Sequence, residues 1–180
     1  MVTLKGSNFI LREWEESDAE ELARIGNNKK IAQNMVDTFP FPYTIDSAEY
    51  WVCNAGRGEN KANLAIEVDG KLAGGIGFSI KDGLHEGVAN GGYWLGEEFW
   101  GNGIGTEAWA LIRDYIFENY DVHRVEASVF SWNPASARVQ EKCGFKLEGT
   151  LRQNSKRFEK IGDELQFSIL RDEWKKLKND

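Results

Sequence analysis

Trp100-Gly101-Asn102-Gly103-Ile104-Gly105-Thr106-Glu107 is the stretch on which the reading of this chain turns. It follows a β-rich run that ends at Leu95. It opens the longest helical pattern in the sequence, residues 103–120, where Ile104, Ala108, Leu111, Ile112, Tyr115 and Ile116 recur at spacings of three and four. Glycines at alternate positions let the backbone come close to a ligand, and the first amides of a helix have no acceptor inside it. Those amides point outward with the positive end of the helix dipole, so a strand, this turn and a helix make an anion site suited to a pyrophosphate. No lysine follows the last glycine as in a nucleotide-triphosphate loop, and the spacing is not GxGxxG. A tight turn in which glycine merely relieves crowding is the plainer alternative.

Upstream of the turn, residues 9–14 read as a short strand, and Ser17-Asp18-Ala19-Glu20 has capping-box spacing for a helix through Leu22, Ala23 and Ile25. A second helical piece begins near Lys29 and is broken by Phe39-Pro40-Phe41-Pro42, because proline lacks an amide donor and restricts its predecessor. Asp46, three residues before Glu49, is expected to cap a helix across Tyr50, Trp51 and Cys53. After Arg57-Gly58 the periodicity changes. Residues 62–68 and 72–80 are strands joined by Asp69-Gly70, a two-residue hairpin signal, and residues 88–95 add a third.

Downstream, residues 124–130 alternate as a strand, residues 134–142 form a short helix closed by Gly144, and residues 145–151 and 165–170 are closing strands. The order predicts an α/β fold. Its sheet is mixed and largely antiparallel, of about seven strands with helices on both faces, and has one parallel crossover through the long helix.

At 180 residues the chain is read as a single domain, 1–180, long enough to bury one core. A hydrophobic share of 41% and a charged share of 28% suit a soluble protein, and no apolar run reaches membrane-spanning length. The start, MVTLKGSNFILREW, lacks the regions of a signal peptide, so a cytoplasmic protein is expected. Cys53, Cys143, His85 and His123 show no metal-ligand or disulfide spacing. The formal charge of −7 disfavours a general nucleic-acid binder. Only residues 121–180 are basic, with 12 Lys and Arg against 10 Asp and Glu.

Three ordered blocks carry a resemblance. The run from Tyr93-Trp94-Leu95-Gly96 through Glu107-Ala108 resembles the coenzyme A motif R/Q-x-x-G-x-G/A of the GNAT superfamily, with Trp100 in place of the usual Arg or Gln, as in its Rim-type branch that acetylates ribosomal-protein N-termini. Asn133-Pro134-Ala135-Ser136 through Cys143-Gly144-Phe145 to Glu148-Gly149 and Arg152 is similar to that branch's N-x-x-S…GF…EG…R pattern. Asp163-Glu164 leading to Phe167-Ser168-Ile169-Leu170 and Trp174 resembles its closing strand.

The resemblance implies a splayed GNAT sheet and an acetyl-CoA cofactor. The pantetheine arm lies between strands 88–95 and 124–130, and the Leu95 backbone amide stabilises the oxyanion of the tetrahedral intermediate. The amides of Gly101, Asn102, Gly103, Ile104, Gly105 and Thr106 hold the pyrophosphate. Asn133 either caps its helix or contacts the cofactor. Ser136 stands where Rim-type enzymes place a hydroxyl able to protonate the leaving thiolate. Arg138 and Lys142, four apart on one helix face, either meet the cofactor's phosphate end or are solvated surface charge.

At the position where related enzymes can place a basic glutamate stands Ser155, so a water chain or Glu97, Glu98 or Glu159 is left to take the proton. An α-amine, with a pKa of about 8, needs less help than a lysine near about 10.4. The implied activity is acetyl transfer to an α-amine on a peptide or protein N-terminus, by direct attack. The alternatives are a small-molecule acetyltransferase acting on a polyamine, amino acid or aminoglycoside, and a non-catalytic coenzyme A binding domain. Monomer and homodimer both remain open. Cys143 is read as core packing rather than a nucleophile, and His123 as structural. Trp94, Trp109 and Trp174 are assigned to the core, Trp51 and Trp100 to a pocket, and Glu107 to its own helix N-terminus.

Overall fold

The structure is a computed structural model that describes residues 2–54 and 60–179, so the Arg57-Gly58 break lies outside the described residues. In chain order the strands are β1 (Leu4–Lys5), β2 (Ile10–Arg12), β3 (Lys61–Val68), β4 (Lys71–Ile80), β5 (Val88–Leu95), β6 (Arg124–Phe130), β7 (Lys146–Arg157) and β8 (Lys160–Leu170). The helices are α1 (Ala19–Gly26), α2 (Lys29–Ala32), α3 (Ile45–Asn54), α4 (Ile104–Asn119), α5 (Pro134–Lys142) and α6 (Arg171–Leu177). One mixed sheet has the strand order β1-β2-β3-β4-β5-β6-β8-β7. It holds eight strands rather than seven, because the two residues of β1 pair with β2, too short a run to show a pattern in sequence. The parallel crossover is present: β5 and β6 pair through Val88–Arg124, Ala89–Val125 and Asn90–Glu126, and both strands run on past that ladder.

The chain forms two compact units, Met1–Gly77 with Tyr93–Ala108 and Phe78–Gly92 with Trp109–Asp180. In the first, Leu11, Leu22, Leu64 and Ile66 are buried. The Arg12 guanidinium forks onto both oxygens of Asp18 at 2.7 and 2.8 Å and reaches Glu67 at 2.5 Å. Asp18 also accepts from the Glu15 amide at 2.9 Å. The box therefore joins Glu15 with Asp18 and opens a 3-10 turn, Glu16–Asp18, that leads into α1, in place of Ser17 with Glu20; Arg12 fixes Asp18 in the accepting position. At α3 the cap is Thr44, whose hydroxyl oxygen accepts from the Ser47 amide at 3.2 Å, and Asp46 sits inside the first turn. The hairpin turn places Asp69 at φ 49° and Gly70 at φ 76°, as its residue pair demands.

In the second unit Trp109, Ile112, Ile116, Phe117, Val125, Phe167 and Ile169 are buried. Arg171 collects the carbonyls of Phe117, Tyr120 and Val122 at 2.7–2.8 Å, satisfying acceptors left at the end of α4. That residue begins α6, a helix the sequence pattern did not announce. Its Trp174 stacks on Phe117 at 5.0 Å and donates to Asp114 at 2.8 Å. Residues 152–163, between the two expected closing strands, are the two arms of a β7–β8 hairpin, with Ser155 opposite Gly162 and Arg157 opposite Lys160. Its polar residues hid the strand period, which is read from apolar alternation. Among the described residues no helix is long and apolar enough to cross a membrane.

Candidate active site

The glycine turn closes onto the end of β5. The amides of Thr106 and Glu107 both donate to the Gly103 carbonyl, at 3.0 and 3.1 Å, so the helix begins there. This removes Thr106 from the set of amides offered to an anion. Ile104 and Gly105 precede any intrahelical acceptor, and their amides are the ones the helix start presents. Gly101 and Gly103 lie at φ 80° and 81°, and a Cβ on either would meet no atom within 4 Å. Their side-chain positions open onto space a phosphate can enter, so the turn fits the group the motif implies. Gly105 serves another purpose. A Cβ there would stand 2.8 Å from the Tyr93 ring, so this glycine lets α4 pack against β5.

Trp100 is 43% exposed, yet its indole nitrogen donates to the Leu95 carbonyl at 2.8 Å. The residue that replaces Arg or Gln thus ties the turn to the buried end of β5. Glu107 stands in the first turn of α4, as expected, and its carboxylate also accepts from the amide and hydroxyl of Ser7, each at 2.6 Å. Trp94 is half-buried rather than core, set edge-on to Phe39 at 5.3 Å. Trp109 and Trp174 are buried as expected. Trp51 is half-buried and edge-on to Trp14.

Glu97 and Glu98 line a surface depression with Arg24, Ile25, Asn27 and Asn28. Glu97 accepts from Lys30 and from Asn28, and these contacts hold its carboxyl below the usual carboxylate range. Glu98 is paired with Arg24 at 2.8 Å. Both already hold a cation, so taking in an ammonium would mean breaking an ion pair. Glu159 is exposed at the tip of the β7–β8 hairpin.

In the second unit α5 carries the remaining candidates. Asn133 is its N-cap, accepting from the Ser136 amide at 3.2 Å, with Pro134 in the first turn. At the other end Gly144 lies at φ 82°, and Gly144 and Phe145 donate to the carbonyls of Glu141 and Gln140, a complete Schellman closure. Caps at both ends fix the register of a helix of nine residues, and with it the half-buried position of Ser136. Arg138 and Lys142 are exposed, and neither joins an ion pair among the described residues. Cys143 is 1% exposed, and burial pushes its thiol up to about 11. Such a group supplies almost no thiolate at neutral pH.

Residues 8–146 match the family model described as Acetyltransferase (GNAT) domain. The chain is 34% identical over 162 residues to YjcK of Bacillus subtilis, named a probable N-acetyltransferase, covering 85% of this chain and 88% of that protein. The solved structure of the microcin C7 self-immunity acetyltransferase MccE, in complex with acetyl-CoA and AMP, superposes with a TM-score of 0.80 at 26% identity, covering 92% and 93% of the two chains. Mycobacterium smegmatis RimJ, in complex with a CoA-disulfide, superposes with a TM-score of 0.81 at 25% identity over 92% of this chain and 83% of that one.

Proposed function

The chain belongs to the GNAT acetyltransferase family and is an acetyl-CoA dependent N-acetyltransferase; from that premise we propose that its acceptor is an α-amine at a peptide N-terminus, attacked onto the thioester directly. The observation that carries this reading is the state of the nucleophile and base candidates. Cys143 is buried with a raised thiol pKa, so it offers no activated nucleophile for an acetyl-enzyme. Glu97 and Glu98 are tied to Lys30 and Arg24, so the amine best served is one already partly neutral near pH 7, as an α-amine of pKa about 8 is. The resemblance of Asn133-Pro134-Ala135-Ser136 and the blocks after it to the Rim-type pattern supports the same acceptor class.

Acetyl-CoA supplies the thioester. The Ile104 and Gly105 amides, with Gly101, Asn102 and Gly103 leaving room for approach, bind its pyrophosphate, and Arg138 and Lys142 neutralise its outer phosphate. The Leu95 amide donates to the oxyanion, and the Ser136 hydroxyl gives its proton to the departing thiolate. Asn133, by capping α5, positions Ser136. Ser136→Ala is expected to lower kcat by about 10²–10⁴, the range of a lost general acid, with coenzyme A affinity nearly unchanged. Cys143→Ala keeps its activity. Near-parental turnover by Ser136→Ala removes that residue from the mechanism, and ping-pong kinetics or acetyl-Cys143 overturns direct attack.

A further inference from the structure

An α-amine is partly neutral near pH 7, but the fraction that enters as an ammonium must lose a proton before it attacks, so a group that draws in the cation and takes that proton would speed the reaction. Several carboxylates among the described residues are already spent on cations. Asp18 and Glu67 pair with Arg12, Glu126 with Lys81 and Arg124, Glu148 with Arg124, and Glu173 with Lys146. Glu164 is different. It accepts from Asn154 Nδ2 at 2.7 Å, Ser155 Oγ at 3.0 Å and Gln166 Nε2 at 2.8 Å, all neutral donors. No ion pair joins it to a Lys or Arg among the described residues.

The backbone builds this arrangement deliberately. A bulge between Leu151 and Ser155 puts Gln153 at φ 50°, and the Gln153 amide is held by Asp163 at 2.8 Å. The Asp163 amide in turn donates to the Ser131 hydroxyl at 3.0 Å. The extra residues carry both Asn154 and Ser155 to the Glu164 carboxylate, which a regular ladder with side chains alternating between faces could not do. Glycine is needed at 162, where a Cβ would stand 2.8 Å from the Trp132 ring. Partial burial works to raise the Glu164 pKa, but hydrogen bonds from Asn154, Ser155 and Gln166 are among the causes that bring it below its ordinary value. The result is a half-withdrawn negative charge with neutral donors and no counter-ion, a setting that selects a cation from outside.

We infer that Glu164, acting with Ser155, docks the acceptor's ammonium group and takes its proton. The inference rests on amine acetylation by this chain and names the acceptor side of that reaction. Ser155 donates its hydroxyl hydrogen to Glu164 and so turns an oxygen lone pair toward an incoming N–H. The ammonium gives one proton to Ser155 Oγ as Ser155 passes its own to Glu164 Oε2. The freed nitrogen lone pair forms the C–N bond, the C–S bond breaks, Ser136 protonates the thiolate and regains a proton from the acylated nitrogen, and the proton on Glu164 leaves to solvent.

The test uses the full chain with acetyl-CoA and two acceptors: a hexapeptide with a free N-terminus, and hydroxylamine, which is uncharged at neutral pH. Glu164→Gln is expected to lower kcat/KM for the peptide by about 100-fold or more, mainly through KM, and for hydroxylamine by no more than about tenfold. Glu164→Asp recovers part of the loss, and Ser155→Ala falls between. Equal losses with both acceptors would assign Glu164 to packing, and an unchanged peptide rate would make it idle; either overturns the inference while leaving peptide acetylation intact. A parent that acetylates hydroxylamine but not the peptide overturns the acceptor reading itself.

Discussion

The glycine turn at residues 100–107 and the hairpin at residues 146–170 both hold polar groups ready for a charged ligand, and they do so by opposite means. In the turn the working groups are backbone amides, aimed by two left-handed glycines and a helix start. In the hairpin they are side chains, brought to Glu164 by a bulge and cross-strand register. A backbone site is indifferent to most side chains but intolerant of a changed conformation. A side-chain site behaves the other way round, and it titrates.

That contrast separates two neighbouring glycines. Gly103→Val forces a β-branched residue toward φ 81°, at a strain of about 1–3 kcal/mol. Because its Cβ would meet open space, the turn can relax, misdirecting the amides while the fold persists. Coenzyme A affinity measured by calorimetry is expected to fall at least about tenfold, equivalent to about 1.4 kcal/mol, with little change in melting temperature. Gly105→Val drives a side chain into the Tyr93 ring instead, and overpacking of about 1–3 kcal/mol appears as a melting point lower by several degrees. If the two variants behave alike, the distinction between an aiming glycine and a packing glycine is wrong.

Acid should reach the side-chain region first. Arg124 holds the Glu148 carboxyl, aided by a hydrogen bond from Ser168, at about 2 against an ordinary 4.5. A folded-state pKa below the unfolded one contributes stability that is complete above about 4.5 and is lost as pH falls toward about 2. The Glu148 side chain is 43% exposed, so solvent screens the pair and the effect is small. The stability difference between the parent and Glu148→Gln, read from urea unfolding, should shrink steadily across that window. A difference that grows on acidification contradicts the pairing.

The same contrast explains what the amino-acid order disclosed. Gly101, Gly103 and Gly105 mark the turn because backbone conformation leaves its trace in residue type at fixed spacing, and the Asp69-Gly70 hairpin, α4 and α5 were legible for the same reason. The division of labour within the turn was not, since the role of Gly105 depends on Tyr93, twelve residues away and on another element. The caps at Glu15 and Thr44 were missed because Arg12 and local geometry choose among several plausible oxygen donors. Glu164 stood in a quoted motif without a role. Its partners Asn154 and Ser155 lie ten and nine residues away across a bulged ladder, and a bulge has no spacing rule that would reveal it.

The central claim is acetylation of an α-amine, and the most direct test is a peptide that offers both kinds of amine. A peptide with a free N-terminus and one internal lysine, incubated with acetyl-CoA and the full chain, is mapped by tandem mass spectrometry. The account predicts acetyl on the α-nitrogen with the lysine unmodified, and loss of all product when the N-terminus is blocked. Acetyl on the lysine, or product from the blocked peptide, would contradict it.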